Sequence, residues 1–357
     1  MKVIRFDLLW IAPAAFMVAT ELLVANLIGS AVGFHYDMAV WAYFVIATAI
    51  ASISAFAVLL LILGSYPLRR IASPIKQLRN DAVTIAWTAF AVVSGIYLVV
   101  FQLCALNWTK SMLPHATGFW ADPLLARLDH ALFGNDPWIF LHQVFGQTRI
   151  FDFAYGLWGP LKFGTLLLFI ALPGSRTKAI ALLAYFLTMI LGMLVGQFVL
   201  PSAGPIFYQL LGLGDRFAAM PLAPWSGMAR DYLWDAYINN TGKVGGGISA
   251  FPSMHVAISV WIALTWGSVH RVLGFVGAVF ATLVMIGSVY LGWHYAVDGL
   301  VSIIGVVLIW WASGRFVDWV EAREARLARA DLDPSGAVGH AAVLVTPAGA
   351  SPARRPA

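Results

Sequence analysis

The stretch SAFPSMHVAISVWIALTWGSVHRVLGFVGAVFATLVMIGSVYLGWHYAVD, residues 249–298, decides how the chain is read. It opens with His255 just after Pro252 and Ser253, and it closes with His294 and Asp298, four residues apart. The 38 residues between the histidines are nearly all apolar, apart from a break at 268–271. A helix that crosses a bilayer needs about 20 residues. The spacing therefore predicts one crossing, a turn and a second crossing, which returns both histidines to the same membrane face. With Asp298 they make a candidate active site, and the rest of the chain becomes its scaffold.

The composition agrees. Of 357 residues, 61% are hydrophobic and 11% charged, against roughly 25% charged in an average soluble domain. The formal charge of +5 does not point to nucleic acid, because the basic residues are dispersed into short loops with no basic stripe. Cys104 is the one cysteine, so an intrachain disulfide is excluded. Eight apolar runs read as spans: 8–30, 39–63, 82–106, 151–172, 179–200, 253–269, 272–291 and 295–313. The first follows Lys2 and Arg5 and outruns the roughly 7–15 residues of a cleavable signal core, so it is read as a retained span.

With the N-terminus in the cytoplasm, fifteen of the 22 Lys and Arg fall inside and six outside, with Lys162 within a span. The positive-inside rule favours this orientation, which places His255, His294 and Asp298 on the outer face. The expected fold is all-α and integral to the membrane, a polytopic helical bundle of about eight spans with an outer-face histidine site. Residues 1–106 are expected to form N-terminal spans, 107–150 outer interfacial helices and 151–313 the catalytic membrane core. Residues 331–357, small, polar and Pro-rich, are expected to be a disordered cytoplasmic tail. A bacterial inner membrane is the default setting for so compact a chain.

In 107–150, two Asp-Pro pairs each predict a helix start: Asp122 as cap before Pro123, and Asp136 before Pro137. Leu124, Leu125, Leu128 and Leu132 are read as one face of the first, with Gly134 as its stop. The pair is expected to be a packing collar in the membrane interface or a platform guiding lipid to the site. The Pro-, Gly-, Trp- and Tyr-rich segment 201–252 is expected to roof the cavity.

Four residues apart on a helix, Asp298 can accept a proton from one nitrogen of His294 and leave the other as nucleophile or base. His255 stands in the first turn of a helix, whose free N–H groups favour an anion. Ser253 adds a hydroxyl, and Gly245, Gly246 and Gly247 permit close backbone approach. Two histidines and an aspartate also make a plausible transition-metal site. The positive end of the helix argues for an anion instead, so neither metal nor cofactor is expected.

AFPSMHVA and SVYLGWHYAVDGL resemble the second and third signature motifs, PSGH and SRxxxxxHxxxD, of the type 2 phosphatidic-acid-phosphatase superfamily. The resemblance implies His294 as a nucleophile that forms phosphohistidine, His255 as general acid and Asp298 as the orienting carboxylate. Ser253 and the backbone of Met254 would hold phosphate oxygens. The sequence departs from those motifs: Met254 replaces the glycine, Gly287-Ser288 replaces Ser-Arg, and GQFVLPSAGPIFY stands where the first motif belongs. These departures, with DPLLARLDHALFG at 122–134, are similar to the inositol phosphorylceramide synthase-like branch, the inositolphosphotransferases. The missing arginine leaves phosphate charge to Lys162 and then Lys243, Arg216 or Arg230. Lys162 could equally pair with Glu21 in the first span.

The implied activity is transfer or cleavage of a lipid phospho-group. The partners would be a phospholipid or other lipid phosphate and a hydroxyl acceptor such as inositol or a lipid alcohol. With water as acceptor the enzyme is a lipid phosphate phosphatase. The non-enzyme alternative is a lipid transporter or scaffold, against which stands the absence of an internal repeat.

Overall fold

The computed structural model describes residues 2–33, 45–54, 57, 75–146, 149–241, 243 and 245–332. Most of the expected tail and most of the expected span 39–63 lie outside these residues. The described residues are mostly helical, with no strand among them. The chain divides into two compact units, Met1–Ser313 and Gly314–Ala357.

In the first unit, α1 is Lys2–Ala31, α2 Val45–Ser54 and α3 Ile75–Thr117. Two short helices follow, α4 Asp122–Phe133 and α5 Pro137–Phe145, then α6 Ile150–Gly156 and α7 Trp158–Ala171. Helix α8, Arg176–Met189, widens into π-type turns over Ile190–Gly196 and ends in α9, Gln197–Val199. After α10, Pro224–Ile238, come the hairpin α11, Met254–Gly267, with α12, Arg271–Tyr290, and then α13, Ala296–Leu332, whose residues 296–313 belong to this unit. In the second unit the described helix carries Phe316 stacked on Trp319, with Arg323 over the Trp319 ring.

Among the described residues, six segments are long and apolar enough to cross a membrane: Ile4–Ala31, Ala86–Thr117, Ile150–Ala171, Arg176–Val199, Arg271–Tyr290 and Ala296–Arg329. Val45–Ser54 and Met254–Gly267 are apolar but shorter. At 1.5 Å per residue, the 14 residues of α11 reach about 21 Å, short of a core about 30 Å thick. An integral membrane protein accounts for the many large apolar side chains left facing outward, such as Phe16, Phe275 and Trp311.

Helix α3 continues eleven residues past the expected end at 106. NWTKSML offers no breaker, and Thr109, Ser111 and Thr117 satisfy their hydroxyls on carbonyls four residues back. The continuation brings Asn107 and Lys110 into the bundle. Lys178 and Asp7 tie α8 to α1 by a fully buried ion pair of 2.8 Å. In the α11–α12 hairpin a Cβ on Gly277 would stand 2.6 Å from the Ala263 Cα, so these helices meet backbone to backbone. That approach sets where the loops carrying His255 and His294 converge.

Candidate active site

Ser253 caps α11, its Oγ accepting from the Val256 N–H at 3.4 Å. The cap places Met254 and His255 in the first turn of α11, facing a cavity of about 740 Å³. His294 enters the same cavity from the turn between α12 and α13. The two imidazole centroids lie 6.0 Å apart. His255 is held between two aromatics, stacked on Tyr155 at 4.3 Å and tilted against Trp158 at 4.4 Å. Ser253 itself is fully buried and is not part of the cavity wall, so its side chain serves the helix end.

The His294 ring is oriented differently from the sequence expectation. Its Nδ1 lies 2.8 Å from the Ala250 carbonyl oxygen, and 3.7 Å from the Asp298 carboxylate. A carbonyl can only accept, so Nδ1 carries the proton and Nε2 keeps its lone pair. Asp298 Oδ2 accepts instead from the Tyr295 N–H at 3.0 Å, and Oδ1 is buried without a hydrogen-bond partner. The reason is local: α13 begins at Ala296, so His294 precedes the helix and the one-turn spacing leaves the pair at 3.7 Å, an ion-pair distance without a hydrogen bond. Burial, with the charge of Lys110 adding to it, pushes the His294 imidazole down to about 3, while the Ala250 bond opposes the shift. The ring is neutral at ordinary pH.

The short helix α4 reaches this turn with its two carboxylates. Asp122 accepts from the N–H groups of Ala203 and Gly204, both at 2.8 Å, and from the Tyr295 hydroxyl at 2.8 Å. Asp129 accepts from the N–H groups of Ala296 at 2.7 Å and Val297 at 2.9 Å, the free donors at the start of α13. The buried face of α4 is therefore Asp122, Leu125, Ala126 and Asp129. Leu128 and Leu132, from the leucine face, are exposed. Asp122 is the first helical residue, with Ala121 at the cap position, while Gly134 ends the helix in the left-handed conformation as expected. The sequence signal for the clamp was two aspartates seven residues apart, on the same face of a helix.

The loop of PSAGPIF packs onto the same turn. Gly204 has φ +99, and a Cβ there would stand 2.3 Å from the Trp293 carbonyl oxygen. The Ile206 N–H donates to the Gly292 carbonyl at 2.8 Å. On the other side, Asp152 accepts from the Trp225 N–H and the Ser226 hydroxyl, and Ser226 Oγ accepts from the Trp293 indole at 3.1 Å. His294 is thus flanked by two residues that are each anchored from a different segment.

The expected basic partners separate cleanly. Lys162 lines the cavity, its Nζ 4.1 Å from the Trp158 ring centroid. Glu21 takes a hydrogen bond from Gln102 rather than pairing with Lys162. Arg216 is bound to Asp136 through two nitrogens, Arg230 to its neighbour Asp231, and Lys243 to Asp235. Lys110, which sequence reasoning left in an outer loop, lines the cavity. Ser288 is buried and donates to the Met285 carbonyl at 2.8 Å. Among the described residues no group of three or more His, Cys, Asp or Glu is placed to hold a metal ion.

A family model for the PAP2 superfamily matches residues 124–312, a range that begins in α4 and ends in α13 and contains both histidines and Asp298. No curated protein and no solved structure matches the chain.

Proposed function

The chain belongs to the PAP2 superfamily, and from that premise we propose a membrane enzyme that moves a lipid phospho-group through phosphohistidine on His294. Superfamily membership supports a phosphatase- or phosphotransferase-type lipid phosphate enzyme. The observation that carries the finer reading is the pairing of His294, with its Nδ1 engaged by Ala250, and His255 across one cavity.

In the first step the Nε2 lone pair of His294 attacks phosphorus and the bond from phosphorus to the lipid oxygen breaks. His255, as imidazolium, gives its proton to that oxygen, so the lipid alcohol leaves neutral. The negative charge of bound phosphate favours the protonated His255. In the second step neutral His255 takes a proton from the acceptor hydroxyl, which attacks phosphorus and breaks the P–N bond. Asp298 stabilises the positive charge that His294 carries between the steps. The chemistry asks nothing of a metal or organic cofactor.

A hydroxyl acceptor such as inositol or a lipid alcohol makes the enzyme a phosphotransferase, inositolphosphotransferase-like. The absence of an arginine at Ser288 favours this reading. Water as acceptor makes it a lipid phosphate phosphatase. About eight spans, with the site at the outer face of a bacterial inner membrane and both termini cytoplasmic, complete the proposal; the distribution of Lys and Arg supports it.

The test is purified full-length protein in detergent, given phosphatidate or phosphatidylinositol with and without a hydroxyl acceptor. Headgroup products and acid-labile radiolabel on the wild type, both lost in His294→Ala, are expected. Normal turnover in His294→Ala would refute the assignment, and absence of headgroup products from every lipid would favour a transporter or scaffold.

A further inference from the structure

Two cations face the cavity that the histidine chemistry does not use. Lys162, from α7, is 4% exposed, with its Nζ over the Trp158 and Phe163 rings at 4.1 and 4.4 Å. Lys110, from α3, lines the same cavity close enough for its charge to act on Lys162, His255 and His294. Gly247 passes directly against it: a Cβ there would stand 2.6 Å from the Lys110 carbonyl carbon. Neither lysine has a carboxylate partner among the described residues, whereas Lys178, Arg216, Arg230 and Lys243 each do. Asp152, the one carboxylate in the cavity wall among the described residues, is engaged by the Trp225 N–H and the Ser226 hydroxyl.

An ammonium withdrawn from water is costly unless it is compensated. Contact with an aromatic face returns only part of that cost. Two like charges sharing one cavity increase the cost. A second observation points the same way: the Tyr155 hydroxyl and the Trp158 indole N–H, both from cavity-lining residues, are buried without hydrogen-bond partners. Two cations and two unused donors around one space are complementary to a compact oxyanion.

We propose that Lys110 and Lys162 form a two-ammonium clamp for a phosphate group, reaching the cavity from α3 and α7, outside the segment that carries the histidines. The clamp rests on the reading of this cavity as a phosphate site, and it names the residues that supply the charge. It holds the phosphate of a lipid headgroup or free inorganic phosphate by the same contacts.

The test uses the full-length His294→Gln protein in detergent, so that ligand is bound but not consumed. Dihexanoyl phosphatidate and inorganic phosphate are titrated separately, with dihexanoylglycerol as the uncharged control. Both phosphates are expected to bind and the control to bind at least 10-fold more weakly than the phosphatidate. Lys110→Met and Lys162→Met should each weaken phosphate binding about 10-fold or more, while Lys→Arg at either position stays within a few-fold. Binding of phosphatidate alone would support the clamp for a lipid headgroup only. Methionine variants that bind like their parent would overturn it.

Should those variants fail to fold, acetylation of Lys110 and Lys162 in the otherwise unaltered protein, followed by mass spectrometry, decides the matter. Dihexanoyl phosphatidate should slow both reactions at least five-fold, and equal rates with and without it would overturn the clamp. The two readings fail separately. Turnover surviving in His294→Ala removes the phosphohistidine and leaves lysine-dependent binding intact, whereas lysine-independent binding removes only the clamp.

Discussion

His294 Nδ1 donates to the carbonyl of Ala250 across 2.8 Å, a bond that joins segments 44 residues apart in sequence. The loop before α11 therefore sets the tautomer of the histidine that precedes α13. The Ala250 N–H in turn donates to the Ser202 carbonyl at 2.7 Å, and the Phe251 N–H to the Ser202 hydroxyl at 3.0 Å. The PSAGPIF loop, the PSMH turn and the GWHY turn are one hydrogen-bonded assembly.

Because a carbonyl fixes the His294 proton, Asp298→Asn should damage the enzyme less than loss of His294. Its carboxylate, 3.7 Å from Nδ1, acts on charge in the transition state. The expected effect is a fall in kcat of about 10²–10³-fold with KM little changed. Rapid-quench measurement should show slower formation of acid-labile label, not its absence. Loss as complete as in His294→Ala would mean that Asp298 controls the tautomer after all.

Asp129 holds the first N–H groups of α13 beside the His294 turn. Asp129→Ala leaves both donors unpaired and should cost about 1–3 kcal/mol of stability. It should also lower kcat more than it raises KM, because the nucleophile is displaced. Asp129→Asn keeps one acceptor oxygen and should recover part of both losses. Thermal melts and steady-state kinetics on the pair separate a positioning role from a merely structural one, which would move the melt alone.

Arg216 offers the opposite expectation. Its guanidinium binds Asp136 through two nitrogens and donates to the Ala126 carbonyl at 2.9 Å, joining the 201–223 loop to α4 and α5. Arg216→Ala should lower stability by about 1–3 kcal/mol and leave phosphate affinity unchanged in the folded fraction. A tenfold rise in phosphate Kd without a change in melting would place it in the site.

The membrane class and the two histidine turns were legible because long apolar runs and the PSMH and HYAVD patterns are local signals. The buried face of α4 was not legible for a physical reason. Leucine periodicity marks one face of the helix, but the side buried against the site carries Asp122 and Asp129, which satisfy five donors of the site loops. Lys110 was missed because a span was ended at the last apolar residue, whereas the helix ends where Gly118, at φ +65, leaves it. The pairing of Arg216 with Asp136 is tertiary and that of Lys243 with Asp235 depends on loop geometry, whereas Arg230 pairs with its sequence neighbour Asp231.

Acid should act on this site in two opposed ways. Burial raises the Asp122 carboxyl from 3.8 to about 6, against its three hydrogen bonds. Between those values the folded protein binds more protons than the unfolded chain, so this contribution to stability grows as pH falls from about 6 to 4. His294 is held down from 6.5 to about 3, so there the unfolded chain binds more protons and stability declines as pH falls below 6.5. In the wild type the two trends offset over pH 4–6. Asp122→Asn removes the first and should leave a melting temperature that drops steeply with acid. His294→Gln removes the second and should leave one that rises on mild acidification. Melts at pH 4.5, 5.5 and 6.5 on the three proteins decide it. Parallel pH profiles for both variants and the wild type would show that neither group titrates in this window.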